Sequence, residues 1–139
     1  MKNTKRLPNK YLLQLIISFA SIFILSLNNC TPPFQNKNQM VRIATIDIDS
    51  AHLDSYKAAL KEGIEAAIQT EAGVLSLYAA SDKDNPTHIT VFEVYADTNA
   101  YKIHIETPHF KKYKSTTKDM VKSLKLTDVV PISLGAKNN

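Results

Sequence analysis

Residues 40–134 predict one α+β domain of order β-α-β-β-α-β, the ferredoxin-like split βαβ of the dimeric α/β-barrel type. Three observations carry this. Four runs have strand character, two apolar stripes repeat at helical spacing, and turn or capping residues stand at the junctions.

VRIATIDI (41–48) is β-branched and reads as the first strand. Asp49 or Ser50 can cap the helix that follows, whose stripe is Leu53, Tyr56, Leu60, Ile64, Ala67 and Ile68. That helix is expected to reach about Thr70 and to end before Gly73. GVLSLYAAS (73–81) and THITVFEVY (87–95) are two strands of a hairpin joined by DKDNP. Asp97 can cap a short helix through Ile105. Thr107 then caps another, with Pro108 at its first position, where a missing N–H costs little. Its inner stripe is Phe110, Tyr113, Thr117, Met120, Val121 and Leu124, with Lys111, Lys112, Lys114, Lys118 and Lys122 outside as a solvated face. LTDVVPISL (126–134) is the last strand, and Pro131 marks it as an edge or a bulge.

The middle strands are apolar on both faces. Leu75, Leu77 and Ala79 oppose Val74 and Tyr78, while Phe92 and Val94 oppose Ile89 and Val91. Two helical layers can cover only one face of the sheet, so the other is expected to pair in a homodimer.

The first 29 of the 139 residues read as a leader. Lys2, Lys5, Arg6 and Lys10 precede an almost wholly apolar Tyr11–Leu27, which as a helix would span about 26 Å against the ~30 Å of a bilayer core. A cleaved signal therefore fits better than an uncleaved anchor. LSLNNC is similar to a bacterial lipoprotein signal ending in Cys30, although Asn29 departs from the small residue usual there. Cys30 is the single cysteine, so no internal disulfide forms. Lipidation at Cys30, with residues 30–39 as a polar tether, would make the protein an exported, membrane-anchored lipoprotein of the cell envelope; residues 135–139 are a tail. The chain has 17 Lys and Arg against 13 Asp and Glu, but four of the basic residues lie in the leader. The mature part is thus neutral, and nucleic-acid binding is excluded.

HIETPHF (104–110) places two histidines around a Thr-Pro break, and Glu93 interrupts an apolar strand face. A carboxylate there needs a hydrogen-bonding partner. His104, four residues after Ala100 on an inward face, is the candidate, and a Glu93–His104 pair would suit a general base. His109 can reach the same cavity mouth through its neighbour in the next turn, Tyr113. The competing reading is a satisfied polar pair bracing helix to sheet, with His109 at the surface. Glu93, His104 and His109 as a two-histidine, one-carboxylate iron site is a third, against which the spacing and the Thr-Pro break argue. Tyr56, Tyr78, Tyr95 and Tyr101 could line an aromatic pocket or simply fill the core. His52 and His88 read as surface or capping residues. No nucleophile motif or phosphate loop is present.

EAGVLSLY followed by FEVYADTNAYKIHIETPHF resembles the antibiotic biosynthesis monooxygenase domain family, which includes cofactor-independent quinol monooxygenases. Glu71, Gly73, Glu93, Tyr95, Ala100, His104, Thr107, His109 and Phe110 match its pattern, and Ala72 stands where a proline is usual. The resemblance implies a ferredoxin-like dimer acting on a small aromatic substrate and O2, without a metal or other cofactor. It implies catalytic roles for His104, Glu93 and His109, and a substrate pocket that includes Tyr78, Tyr95 and Phe110. The family's haem-degrading branch uses a tryptophan and a first-strand asparagine; this chain has neither. Two alternatives stay open: an isomerase of the same family, or a non-catalytic dimer that binds a hydrophobic ligand or a partner protein.

Overall fold

The structure is a computed structural model that describes residues 38–135. The leader, Cys30 and most of the tether lie outside the described residues. Among the described residues no helix is long and apolar enough to cross a membrane.

The strands are β1 (Met40–Ile48), β2 (Val74–Ser81), β3 (His88–Tyr95) and β4 (Val121–Val129), and the helices α1 (Leu53–Thr70), α2 (Thr98–His104) and α3 (Pro108–Thr117). The sheet runs β2-β3-β1-β4 with every neighbour antiparallel, which is the ferredoxin-like order. Asp49 caps a 3-10 turn at Ser50–His52 that feeds into α1, its side chain accepting from the Ala51 N–H. Asp97 accepts from the Ala100 N–H at the start of α2, and Thr107 from the Phe110 N–H at the start of α3. Each such cap is worth about 1 kcal/mol.

The alternation of β1 turns Arg42, Ala44, Ile46 and Ile48 toward the helices, opposite Glu93, Val91 and Ile89 of β3. Ala44, Ile46, Ile48, Ile89 and Val91 pack with Tyr56 into one core cluster, while Ala67, Val74, Tyr95 and Ala100 form a second. Tyr56 is fully buried, and its hydroxyl meets that of Tyr113 at 2.7 Å, tying α1 to α3.

Three expectations need correction. The last helix ends at Thr117, and β4 begins at Val121, five residues before the predicted strand. VKSLKLTDV satisfies both helical and alternating spacing; pairing along β1, from Val41 with Val129 to Ile48 with Val121, decides for strand. Pro131 consequently lies beyond the strand. Next, Ile68 of the predicted α1 stripe is exposed, because the stripe drifts off the sheet in the last turn. Finally, a register shift between Val74 and Ser76 sets Val74 opposite Tyr95 and Leu77 opposite Glu93, so both face the helices. Tyr78 remains on the outer face, 67% exposed. Val41 and Val94 are buried opposite each other on that face, and Phe92, paired with Ile43 in the next row, is half-buried.

Candidate functional site

Between the sheet and the helices lies a cavity of about 380 Å³, the size of a small-molecule site. Its walls are mostly apolar, including Ile46, Leu60, Val91 and Phe110, while Arg42, Glu93, His104 and His109 supply the polar groups. Leu124 and Leu126 of β4 line one side and are themselves half exposed, so the cavity opens there.

Glu71, the residue that ends α1, is the partner of both histidines. Its Oε1 lies 2.8 Å from His104 Nδ1 and 2.6 Å from His109 Nε2. His104 closes α2 and His109 stands in the first turn of α3, so three element ends meet on one carboxylate. The meeting depends on Gly73. A Cβ at that position would lie 2.6 Å from the Ala100 Cβ, so only glycine lets the turn after α1 dock against α2. The Ala96 N–H donates to the Gly73 carbonyl and fixes this docking.

The bond network sets the proton positions. Thr107 donates its hydroxyl hydrogen to the His104 carbonyl at 2.7 Å. At 3.1 Å from His109 Nε2 its oxygen can then only accept, so that nitrogen carries hydrogen and shares it between Thr107 and Glu71. With Glu71 as a carboxylate, His104 donates from Nδ1, leaving Nε2 with a free lone pair. No buried side-chain nitrogen or oxygen among the described residues lacks a partner. Nε2 of His104 therefore reaches the open space of the cavity that its ring borders. Phe110, with its centroid 4.9 Å from that of His104, and Tyr95, at 5.5 Å, hold the imidazole in place.

Contrary to the expectation from the sequence, Glu93 does not hydrogen-bond His104. Its Oε2 accepts from the Tyr95 hydroxyl at 2.9 Å. Burial pushes the Glu93 carboxyl above the ordinary glutamate range, against the pull of the Tyr95 hydroxyl and the Arg42 charge. Burial likewise raises Tyr95. Arg42 donates to Asp128 at 2.7 Å and lies over the Tyr101 ring, 4.3 Å from its centroid, which fixes a cation at the wall.

The structure thus brings His104, His109, Glu93, Tyr95 and Phe110 around one cavity and leaves Tyr78 outside it, because Tyr78 points from the opposite sheet face. Tyr56 is core, Tyr101 is wall, His52 is exposed, and His88 pairs with Asp47 at 2.7 Å. Two functional candidates went unread as such: Glu71, whose signal was only its place in the family pattern, and Arg42, a charge in the inward alternation of β1. The donor atoms of Glu71, His104 and His109 all lie within 4.8 Å of one another, close enough to hold a metal ion, whereas Glu93 is not in that group.

Fold and cavity together define a ferredoxin-like domain with an internal site of small-molecule size. The sequence profile of the antibiotic biosynthesis monooxygenase family matches residues 40–116, and the chain belongs to that family. A crystal structure from Bacteroides thetaiotaomicron VPI-5482 that carries the family's name is similar at 51% identity and a TM-score of 0.71, over 74% of this chain and 98% of that one. One from Lactobacillus acidophilus NCFM, named as a monooxygenase, is 30% identical with a TM-score of 0.67, over 68% of this chain and 45% of its own. A Nitrosomonas europaea structure bearing the family's name, 20% identical over 71% of this chain and 95% of its own with a TM-score of 0.65, shares the fold. Among curated proteins none matches the chain.

Proposed function

We propose that the protein is a cofactor-independent monooxygenase acting on a quinol or a similar electron-rich phenol. The observation that carries this reading is the Glu71–His104 pair, which presents a basic Nε2 to a largely apolar cavity. Family membership supports the reaction class. Members are typically small-molecule-binding dimers.

In the proposed reaction His104 Nε2 takes the phenolic proton, and Glu71, hydrogen-bonded to Nδ1, stabilises the imidazolium. The phenolate gives one electron to O2, and the radical pair joins as a ring peroxide anion. The proton held on His104 returns to the peroxide. Loss of water leaves one oxygen on the ring, so one O2 yields one oxygenated quinone and one water. A cavity lined by Ile46, Leu60, Val91 and Phe110 keeps bulk water from the radical pair. Arg42 favours an anion in the cavity, and burial raises the Glu93 carboxyl above the ordinary glutamate range. The orienting role thus belongs to Glu71 rather than to Glu93.

Oxygen uptake with menadiol, measured against autoxidation in buffer, tests the proposal. Purified protein is expected to exceed background, and His104→Ala, folded by circular dichroism, to return to it. Equal uptake by the two proteins would remove His104 from the chemistry. An imidazole that borders the cavity and is hydrogen-bonded through Nδ1 to a carboxylate favours this reading over a non-catalytic binding module, which needs the cavity but not that pair.

A further inference from the structure

We propose that Glu71, His104 and His109 form a binding site for one divalent transition-metal ion, and that an ion bound there silences His104 as a base. The second half rests on the function proposed above; the first half does not.

Two imidazole nitrogens and a carboxylate oxygen are a donor set that first-row divalent ions such as Zn²⁺ and Co²⁺ favour. Ligands about 2.1 Å from such an ion lie roughly 3.0–3.4 Å from one another. Here the shared Oε1 stands 2.6 and 2.8 Å from the two nitrogens, and all three donors fall within 4.8 Å. The two oxygen–nitrogen pairs would spread by a few tenths of an ångström to admit the ion, and the two nitrogens, which fall within 4.8 Å of each other, would settle at the ligand spacing by small side-chain rotations. The side chains of Glu71 and His104 are 9% and 8% exposed, so the ion would be largely withdrawn from water. His109 is 21% exposed and borders a second, shallow groove beside Glu62, Lys112 and Thr116 on the outside of α1 and α3, which gives a route of entry. The donors sit at the ends of three elements fixed by the Thr107 cap and by the close contact of Gly73 with Ala100, so the site is largely formed beforehand.

The metal and the hydrogen bonds compete for the same lone pairs. An ion on His104 Nδ1 takes the place of the hydrogen there, and the ring proton moves to Nε2; His109 likewise moves its proton from Nε2 to Nδ1. Both rings stay neutral, and no proton is lost. Nε2 of His104, the atom facing the cavity, changes from acceptor to donor. In that state it cannot take a proton from a phenol.

The test uses the full chain stripped with EDTA. Titration with Co²⁺, read by its visible ligand-field bands, and with Zn²⁺, read by calorimetry, is expected to show one ion per chain. Glu71→Gln and His109→Ala, each checked for folding by circular dichroism, are expected to weaken binding by more than the roughly 10–100-fold that loss of a supporting hydrogen bond gives. No binding of either ion, or binding that survives both substitutions, overturns the site. Zn²⁺ is further expected to stop oxygen uptake and EDTA to restore it. Saturation with Zn²⁺ that leaves uptake unchanged overturns the silencing. Because binding is read by spectrum and heat, a protein inert toward menadiol still decides the first half.

Discussion

Two carboxylates border the same histidine-bearing region and are held in opposite ways. Glu71 closes α1 and accepts hydrogen bonds from His104 and His109. Glu93 lies in the middle of the sheet, takes one hydroxyl from Tyr95, and is pushed by burial toward its neutral form. The first is placed to orient an imidazole, the second to shape the wall that a ligand meets. A buried acid next to a histidine is therefore no guide to which acid serves it; hydrogen-bond reach is.

The sharpest way to break the comparison is to neutralise each acid in turn. Glu71→Gln keeps an oxygen near both histidines but removes the charge that stabilises the imidazolium and fixes the tautomer. It is expected to lower kcat with menadiol by about 10²–10⁴-fold. Glu93→Gln, which can still accept from Tyr95, is expected to cost less than about 10-fold, mostly in KM. The reverse order of effects would return the orienting role to Glu93.

Gly73→Ala attacks the packing that makes the Glu71 site possible. With the new Cβ 2.6 Å from that of Ala100, α2 has to move away from the turn. Overpacking of this kind costs about 1–3 kcal/mol, or roughly 5–15 °C in Tm for a domain of this size. Gly73→Ala combined with Ala100→Gly should recover most of the loss, less the roughly 1 kcal/mol that a helical glycine costs. An unchanged melting temperature in the single variant would mean that this contact does not hold α2 in place.

These two tests also mark where the sequence stops being informative. Asp97, Thr107 and Pro108 announce α2 and α3 because caps and prolines act within one turn. The alternation of β1 and β3 puts Glu93 indoors for the same local reason. Residues 118–126 mislead because one apolar pattern suits a helix and a strand alike, and only pairing with β1 resolves it. Tyr78 misleads because the shift between Val74 and Ser76 changes which residues of β2 share a face. Glu71 stays hidden because it meets His104 across 33 residues, through a docking of its own turn on α2 that requires Gly73 to lack a side chain. No periodicity records such a meeting.

The smallest expected effect concerns pH and belongs to Glu93 alone. The groups facing it are Arg42 on β1, Tyr95 beside it on β3, His104 on α2, Tyr113 on α3 and Asp128 on β4. Among them burial prevails, so the folded protein holds the Glu93 proton more tightly than the unfolded chain does. A raised carboxyl contributes stability that is fully present below the ordinary glutamate range and is lost as pH rises through the folded value. Glu93→Gln removes that loss. Thermal melts of the two proteins from acid to neutral pH should therefore separate, with the variant gaining a few degrees on the wild type as pH rises above about 4.5 and then running parallel. A gap that is constant across the range would show that Glu93 titrates alike in both states. A gap of opposite sign would show that Arg42, not burial, governs this carboxyl, and would make Glu93 a second standing charge beside His104.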